Sequence, residues 1–233
     1  MNETGLYFDK TAVRYRTILK NVYIWMTMGL AVTGLVAWYT ANSPAMLQIL
    51  FGNGILPMLL LIIGTFVVVA VLSSRIMTMS VGAAVGSFTL YAVLNGLMLS
   101  SVFLAYTRTT IAQAFFVSAG MFGAMSLWAT ITKKDLSGWG HYLFMGLIGL
   151  IITGIVSIFV HARAFQVMYS LIGVVLFTLL TAYDTQQIKK MSDAAGSAVA
   201  EDDFVRLSIM GALKLYLDFI NIFLFLLRLF RSR

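Results

Sequence analysis

Two aspartates and a lysine stand where the surrounding sequence carries almost no charge. Asp184 lies in Thr-Ala-Tyr-Asp-Thr-Gln-Gln, Asp218 in Leu-Tyr-Leu-Asp-Phe-Ile-Asn, and Lys214 one helical turn before Asp218. A charge at the centre of a bilayer costs at least about 2.5–3.5 kcal/mol on insertion scales, so such residues usually face a protein interior and mark proton sites or ion paths. Two carboxylates in contact in a low dielectric cannot both ionise cheaply. They would share a proton and titrate as a coupled pair, which makes a proton-responsive element. Breaking the shared hydrogen bond would let the helices that carry them part. Arg75, at the end of an earlier apolar run, is a candidate latch that would pair with one carboxylate once it ionises.

Asp218 is the deepest of these groups. It lies about eleven residues from either end of its run, which at 1.5 Å per residue is roughly 16 Å. Gly211, Lys214, Asp218, Asn221 and Phe225 recur at steps of three and four, so they form one helical stripe, polar except at its end. A stripe of that kind cannot face lipid, and the last helix is therefore expected to be central. Plainer readings stand beside these. Lys214 could hold Asp218 as a structural ion pair on one helix. Asp184, near the end of its run, could be an ordinary solvated residue, and Arg75 a loop charge. His141 and His161 sit at run ends, where hydration is the simpler reading than ligation.

The elements that must position these residues follow from composition. The chain has 233 residues, of which 60% are hydrophobic and 11% charged, against roughly 25% charged in a soluble domain. That excludes a soluble enzyme and a disordered chain. With no cysteine, disulfides, thiolate metal sites and a cysteine nucleophile are excluded. Crossing the hydrocarbon core takes about 20 apolar residues. Seven runs qualify, at approximately 21–41, 55–74, 81–104, 111–131, 141–160, 165–188 and 207–230. They are continuous rather than alternating, which argues against a β-barrel, and the first is too long for a signal peptide's apolar region. The expectation is an all-α membrane protein of seven transmembrane helices with the last helix central. Residues 1–20 form a cytoplasmic N-terminal tail, 21–230 a single transmembrane domain and 231–233 a short C-terminal tail.

The net charge of +7 sits between the runs, where it reads as orientation and not as nucleic-acid binding. With the N-terminus inside, the inner side holds Lys10, Arg14, Arg16, Lys20, Arg75, Lys133, Lys134, Lys189, Lys190 and Arg206. The outer side holds Arg108, Arg163, Arg228, Arg231 and Arg233. The three terminal arginines break the rule, and a last segment that re-enters and returns would cure this. Gly82-x-x-x-Gly86 and Gly120-x-x-x-Ala124 suggest packing seams. Asp202 or Asp203 suggests a cap for the last helix, and Trp38, Tyr39, Trp139 and Tyr142 suggest interface anchors.

The residues also carry a resemblance. Tyr183-Asp184-Thr185-Gln186, Gly211-Ala212-Leu213 and Leu215-Tyr216-Leu217-Asp218-Phe219-Ile220-Asn221 resemble the Bax inhibitor-1 (transmembrane Bax inhibitor motif) family. Gly120-Met121-Phe122-Gly123-Ala124-Met125-Ser126 and Lys133-Lys134-Asp135-Leu136-Ser137 resemble its bacterial members. The similarity covers roughly residues 20–230. It implies seven helices with the last enclosed by six, and Asp184 and Asp218 as the family's di-aspartyl proton sensor. It further implies a pH-dependent calcium leak and an arginine latch, for which Arg75 is the candidate; the expectation is then a leak of the inner membrane with no cofactor and no enzymatic activity. Calcium would be the permeant ion, met weakly and transiently by Asp184 and Asp218, with Asn221 and backbone carbonyls as further oxygens.

Other classes fit less well. An intramembrane aspartyl protease needs Gly-x-Gly-Asp where Tyr216-Leu217-Asp218 stands, and a later Pro-Ala-Leu, yet the prolines are Pro44 and Pro57. A retinal protein places its acid one turn before the lysine, not after. A transporter would show matched helix breaks in two halves. A modulator of a membrane protease or stress response, acting through the charged first 20 residues without transport, is the main alternative.

Overall fold

The computed structural model describes residues 3–52, 54–160, 162–195 and 200–231, with 3–17 and 194–195 as backbone only. His161 and Arg233 therefore lie outside the described residues, as do the side chains of Lys10, Arg14 and Arg16. The described residues form eight α-helices and one π-helical turn, with no strand among them. They are α1 (Glu3–Ala41), α2 (Pro44–Leu47), the π turn (Gln48–Gly52), α3 (Leu56–Arg75), α4 (Val81–Ala105), α5 (Arg108–Ile131), α6 (Trp139–Val156), α7 (Arg163–Ala195) and α8 (Glu201–Arg231). All except α2 contain a stretch long and apolar enough to cross a membrane. Their exposed surfaces carry side chains such as Leu35, Phe66, Phe116 and Phe144, which suits lipid and not water.

The seven spans fall on the seven apolar runs; the differences are at the ends. Helix α1 starts at Glu3, well before the apolar run expected from about residue 21. Helix α6 stops at Val156 because the Gln166 amide donates to the carbonyls of Ser157 (3.1 Å) and Val160 (2.8 Å), closing a turn there. Helix α7 runs on to Ala195, past the expected 188. Asp202 and Asp203 do not cap α8. They lie in its first turn, where their charge meets the positive end of the helix dipole. Both also pair with Arg206, at 3.7 and 2.7 Å. Trp38, Tyr39, Trp139 and Tyr142 are exposed, as belt residues should be.

Helix α8 is the enclosed span. In its most apolar window 72% of residues are buried, against 11–33% for the other six. It is unbroken from Glu201 to Arg231, and the Arg231 guanidinium lies over the Tyr106 ring at 5.8 Å. Its end thus meets the segment between α4 and α5, and the re-entrant return that would have cured the charge bias is absent among the described residues.

The chain divides into two compact units, Met1–Ala105 with Met191–Leu213, and Tyr106–Lys190 with Lys214–Arg233. In the first, α1 buries Ile18, Val22, Met26, Thr33, Ala37 and Thr40, a stripe at steps of mostly three and four. That stripe meets α4 at Gly96, where a Cβ would fall 2.7 Å from Val36 Cβ and 2.8 Å from the Thr33 carbonyl. One helix bonds the other there, Thr33 Oγ1 donating to the Ala92 carbonyl at 2.9 Å. The first unit also ties Arg206 Nε to the Met79 carbonyl at 2.8 Å. The expected small-residue seams are elsewhere than predicted: Gly82, Gly86, Gly120 and Ala124 are all exposed. The buried face of α4 runs instead through Ala84, Phe88, Tyr91 and Ala92 to Gly96.

The second unit is built on aromatic contacts to α8. Phe219 meets Phe115 and Phe122 of α5 edge-on, both at 5.7 Å. Phe225 meets Tyr169 edge-on and stacks on Phe177 of α7. Gly173 leaves room for the Phe225 ring, since a Cβ there would come within 2.6 Å of it.

Candidate functional site: an acid pair and a lysine between two helices

Helices α7 and α8 bring the three intramembrane charges together. Asp218 is 3% exposed, and its Oδ2 is buried without a hydrogen-bond partner. Asp184 is nearly buried, its side chain 13% exposed, so it is not an ordinary solvated residue. Lys214 Nζ lies 3.3 Å from Asp184 Oδ1, its side chain 38% exposed. Asp184 and Lys214 both act electrostatically on Asp218. The lysine therefore does not pair with Asp218, its neighbour on the same helix; it crosses to α7. Side chains on a helix lean toward its N-terminus, which tilts Lys214 away from Asp218.

The rest of the polar stripe is uneven. Gly211 and Phe225 are buried with Asp218, whereas Lys214 and Asn221 are half-buried. The Asn221 amide donates to the Leu217 carbonyl at 2.8 Å, which leaves its oxygen uncommitted. Arg75 closes α3 with an exposed side chain; the cation on Asp184 is Lys214. His141 is exposed near the start of α6.

Sequence reading missed how the segment beside Asp184 is held. Gln186 is buried; its Oε1 accepts the Leu136 amide (2.9 Å) and its Nε2 donates to the Lys134 carbonyl (2.7 Å). One side chain thereby satisfies two backbone groups of the α5–α6 connection. Leu136 plugs between Ala129 and Ala182, flanked by Tyr183, and Gly140 gives Tyr183 its space. Outside the membrane spans, Lys190 bonds Asp135 Oδ1 at 2.7 Å and the Ser137 hydroxyl. The lysine, then the Ser137 amide and hydroxyl, hold the Asp135 carboxyl down at about 2. The sequence signal was Gln186 within the aspartate motif, but a glutamine at a span end has no distinctive spacing.

Among the described residues no group of three or more His, Asp or Glu could hold a metal. Calcium takes six to eight oxygens. Asp184 and Asp218, one of them occupied by a lysine, offer too few for a resident site.

These features define a class: a polytopic helical membrane protein whose most buried span carries a buried acid and, one turn before it, a lysine paired with an acid of the preceding span. The model for the family described as inhibitor of apoptosis-promoting Bax1 matches residues 15–233, and the chain belongs to this Bax inhibitor-1 family. It is 47% identical over 218 residues to the inner membrane protein YbhL of Escherichia coli K12, covering 94% of this chain and 92% of the relative. An uncharacterized protein of Deinococcus radiodurans is 39% identical over 233 residues, covering 100% and 98%. The uncharacterized protein RP147 of Rickettsia prowazekii is 38% identical over 232 residues, covering 97% and 92%.

Proposed function

We propose that this protein is a pH-sensitive cation leak of the inner membrane, with calcium as the substrate ion and Asp184 and Asp218 as the proton sensor. The observation that carries the reading is the unpartnered Asp218 Oδ2, buried beside the Lys214–Asp184 pair. Burying an ionised carboxylate without a donor is costly. A neutral, protonated Asp218 next to a lysine–carboxylate pair is a balanced resting arrangement. Losing that proton leaves two carboxylates and one lysine, a cluster that must reorganise across the α7–α8 contact. Lys214 supplies the latching charge in this scheme. A passing calcium ion would meet Asp184, Asp218 and Asn221 as transient oxygen ligands. The inner-membrane location is supported by the relative YbhL, itself an inner membrane protein. Charge bias supports a cytoplasmic N-terminus.

The alternative, a modulator of a membrane protease with no transport, draws support from α1, which begins at Glu3, within the charged first 20 residues. One experiment separates the two: calcium flux into proteoliposomes across about pH 5 to 8, the range in which a coupled buried pair is expected to titrate. Wild type is expected to show pH-dependent flux and Asp218→Asn to lose the dependence. Wild-type flux no greater than that of empty liposomes at every pH would sink the leak and turn attention to residues 1–20.

A further inference from the structure

At one end of the second unit every charge is an arginine. Arg108 opens α5, Arg163 opens α7, and Arg228 and Arg231 close α8. All four are exposed, and none takes part in an ion pair among the described residues. Contacts bring these helix ends together, Arg231 over Tyr106 at 5.8 Å and Arg228 over Tyr169 at 5.1 Å. No acidic residue and no lysine occurs in residues 105–113, 157–170 or 228–233. No acidic side chain in these stretches is available to neutralise this end.

We propose that these four arginines form a binding face for the phosphates of anionic phospholipid headgroups. The stacking tyrosine covers one face of a guanidinium and leaves its in-plane N–H donors free. Those donors match the oxygens of a phosphate in paired fashion, which a lysine ammonium does not. Depth selects a lipid over a soluble acidic partner. Exposed apolar side chains neighbour the arginines within this unit, among them Phe159 and Met168. That places the guanidinium groups at headgroup level, beside tyrosines of the kind enriched there. The face also accounts for Arg228 and Arg231, which break the charge bias: they are held by lipid in the leaflet where they lie.

The test uses the full chain in bilayers of phosphatidylcholine with and without phosphatidylglycerol, reading retained lipid by native mass spectrometry. Wild type is expected to retain phosphatidylglycerol over phosphatidylcholine. Arg228→Gln with Arg231→Gln is expected to lose that preference by about fivefold per arginine, the scale for a basic residue near an anionic surface. Lys133→Gln with Lys134→Gln, at the other end, is expected to leave it unchanged. Should the arginine variant fail to fold, Arg108→Gln with Arg163→Gln, which removes no cation–aromatic contact described above, makes the same test. Equal retention of both lipids by wild type would overturn the proposal. So would an equal loss in the lysine variant, or displacement of the lipid by inorganic phosphate, which would mark a site for the free ion. Retention of an acidic protein in place of lipid would overturn it too.

Discussion

Where α1 crosses α4 a glycine lies against a side chain and a backbone carbonyl, Gly96 on Val36 and Thr33, sealed by one hydroxyl hydrogen bond. Where α7 meets α8 the contact holds large rings and three ionisable groups, Asp184, Lys214 and Asp218. The first contact is fixed by shape and contains nothing that pH can change between about 5 and 8. The second is fixed partly by charge, and in the proposed sensor its fit would depend on where a proton sits. A membrane protein that must hold together while one joint moves can assign rigidity to the first kind of contact and responsiveness to the second.

The comparison can be broken most sharply at the glycine. Gly96→Ala places a methyl where no atom can give way, and overpacking of this kind costs about 3 kcal/mol. Thermal unfolding in detergent is expected to drop accordingly, while any pH dependence of flux stays as in wild type. A variant as stable as wild type would show that α1 and α4 can slide apart freely. Gln186→Ala is expected to cost about 2 kcal/mol, because it orphans the Leu136 amide and the Lys134 carbonyl; faster proteolysis of the α5–α6 connection would report it. Lys214→Met should cost about 1–2 kcal/mol, between the values for exposed and buried pairs. Unlike Gly96→Ala, it should displace the pH profile of flux, with Lys214→Arg restoring it. An unchanged profile in Lys214→Met would remove the lysine from the switch.

The smallest effect belongs to Asp135, which is fully exposed. Its carboxyl is held at about 2, below its ordinary value of 3.8, so its stabilising contribution is complete above the ordinary value and disappears as pH falls through about 2. The small difference in melting temperature between wild type and Asp135→Asn is expected to be constant above about pH 5 and to vanish near pH 2. A difference that grew on acidification would contradict this.

The seven spans were legible because bilayer thickness imposes a length that apolar runs cannot hide. The enclosure of α8 was legible because a charge inside such a run has to be covered. Helix pairing was not: Gly82 and Gly86 have the spacing of a seam yet face outward, while Gly96 forms one without a partner glycine four residues away. Spacing marks a small surface, and the burial of Phe88 and Tyr91 decides which side of α4 turns inward. The partner of Lys214 was equally hidden. Sequence offers Asp218 one turn away, and only the lean of the side chain and the position of α7 select Asp184. The Gln186 clasp depends on two backbone groups, which carry no sequence signal at all.

The enclosure of α8 also has a meaning for how the protein is made. Its span is the last of the seven to leave the ribosome, and the most covered once folded. Until it arrives, the surfaces of α5 and α7 that will meet Phe219 and Phe225 have no such filler. When it arrives, it brings Asp218 into the bilayer before that residue has neighbours. Insertion is cheapest if the carboxyl enters with its proton on, so the proton that the finished molecule is proposed to sense would first serve as a passenger in its assembly.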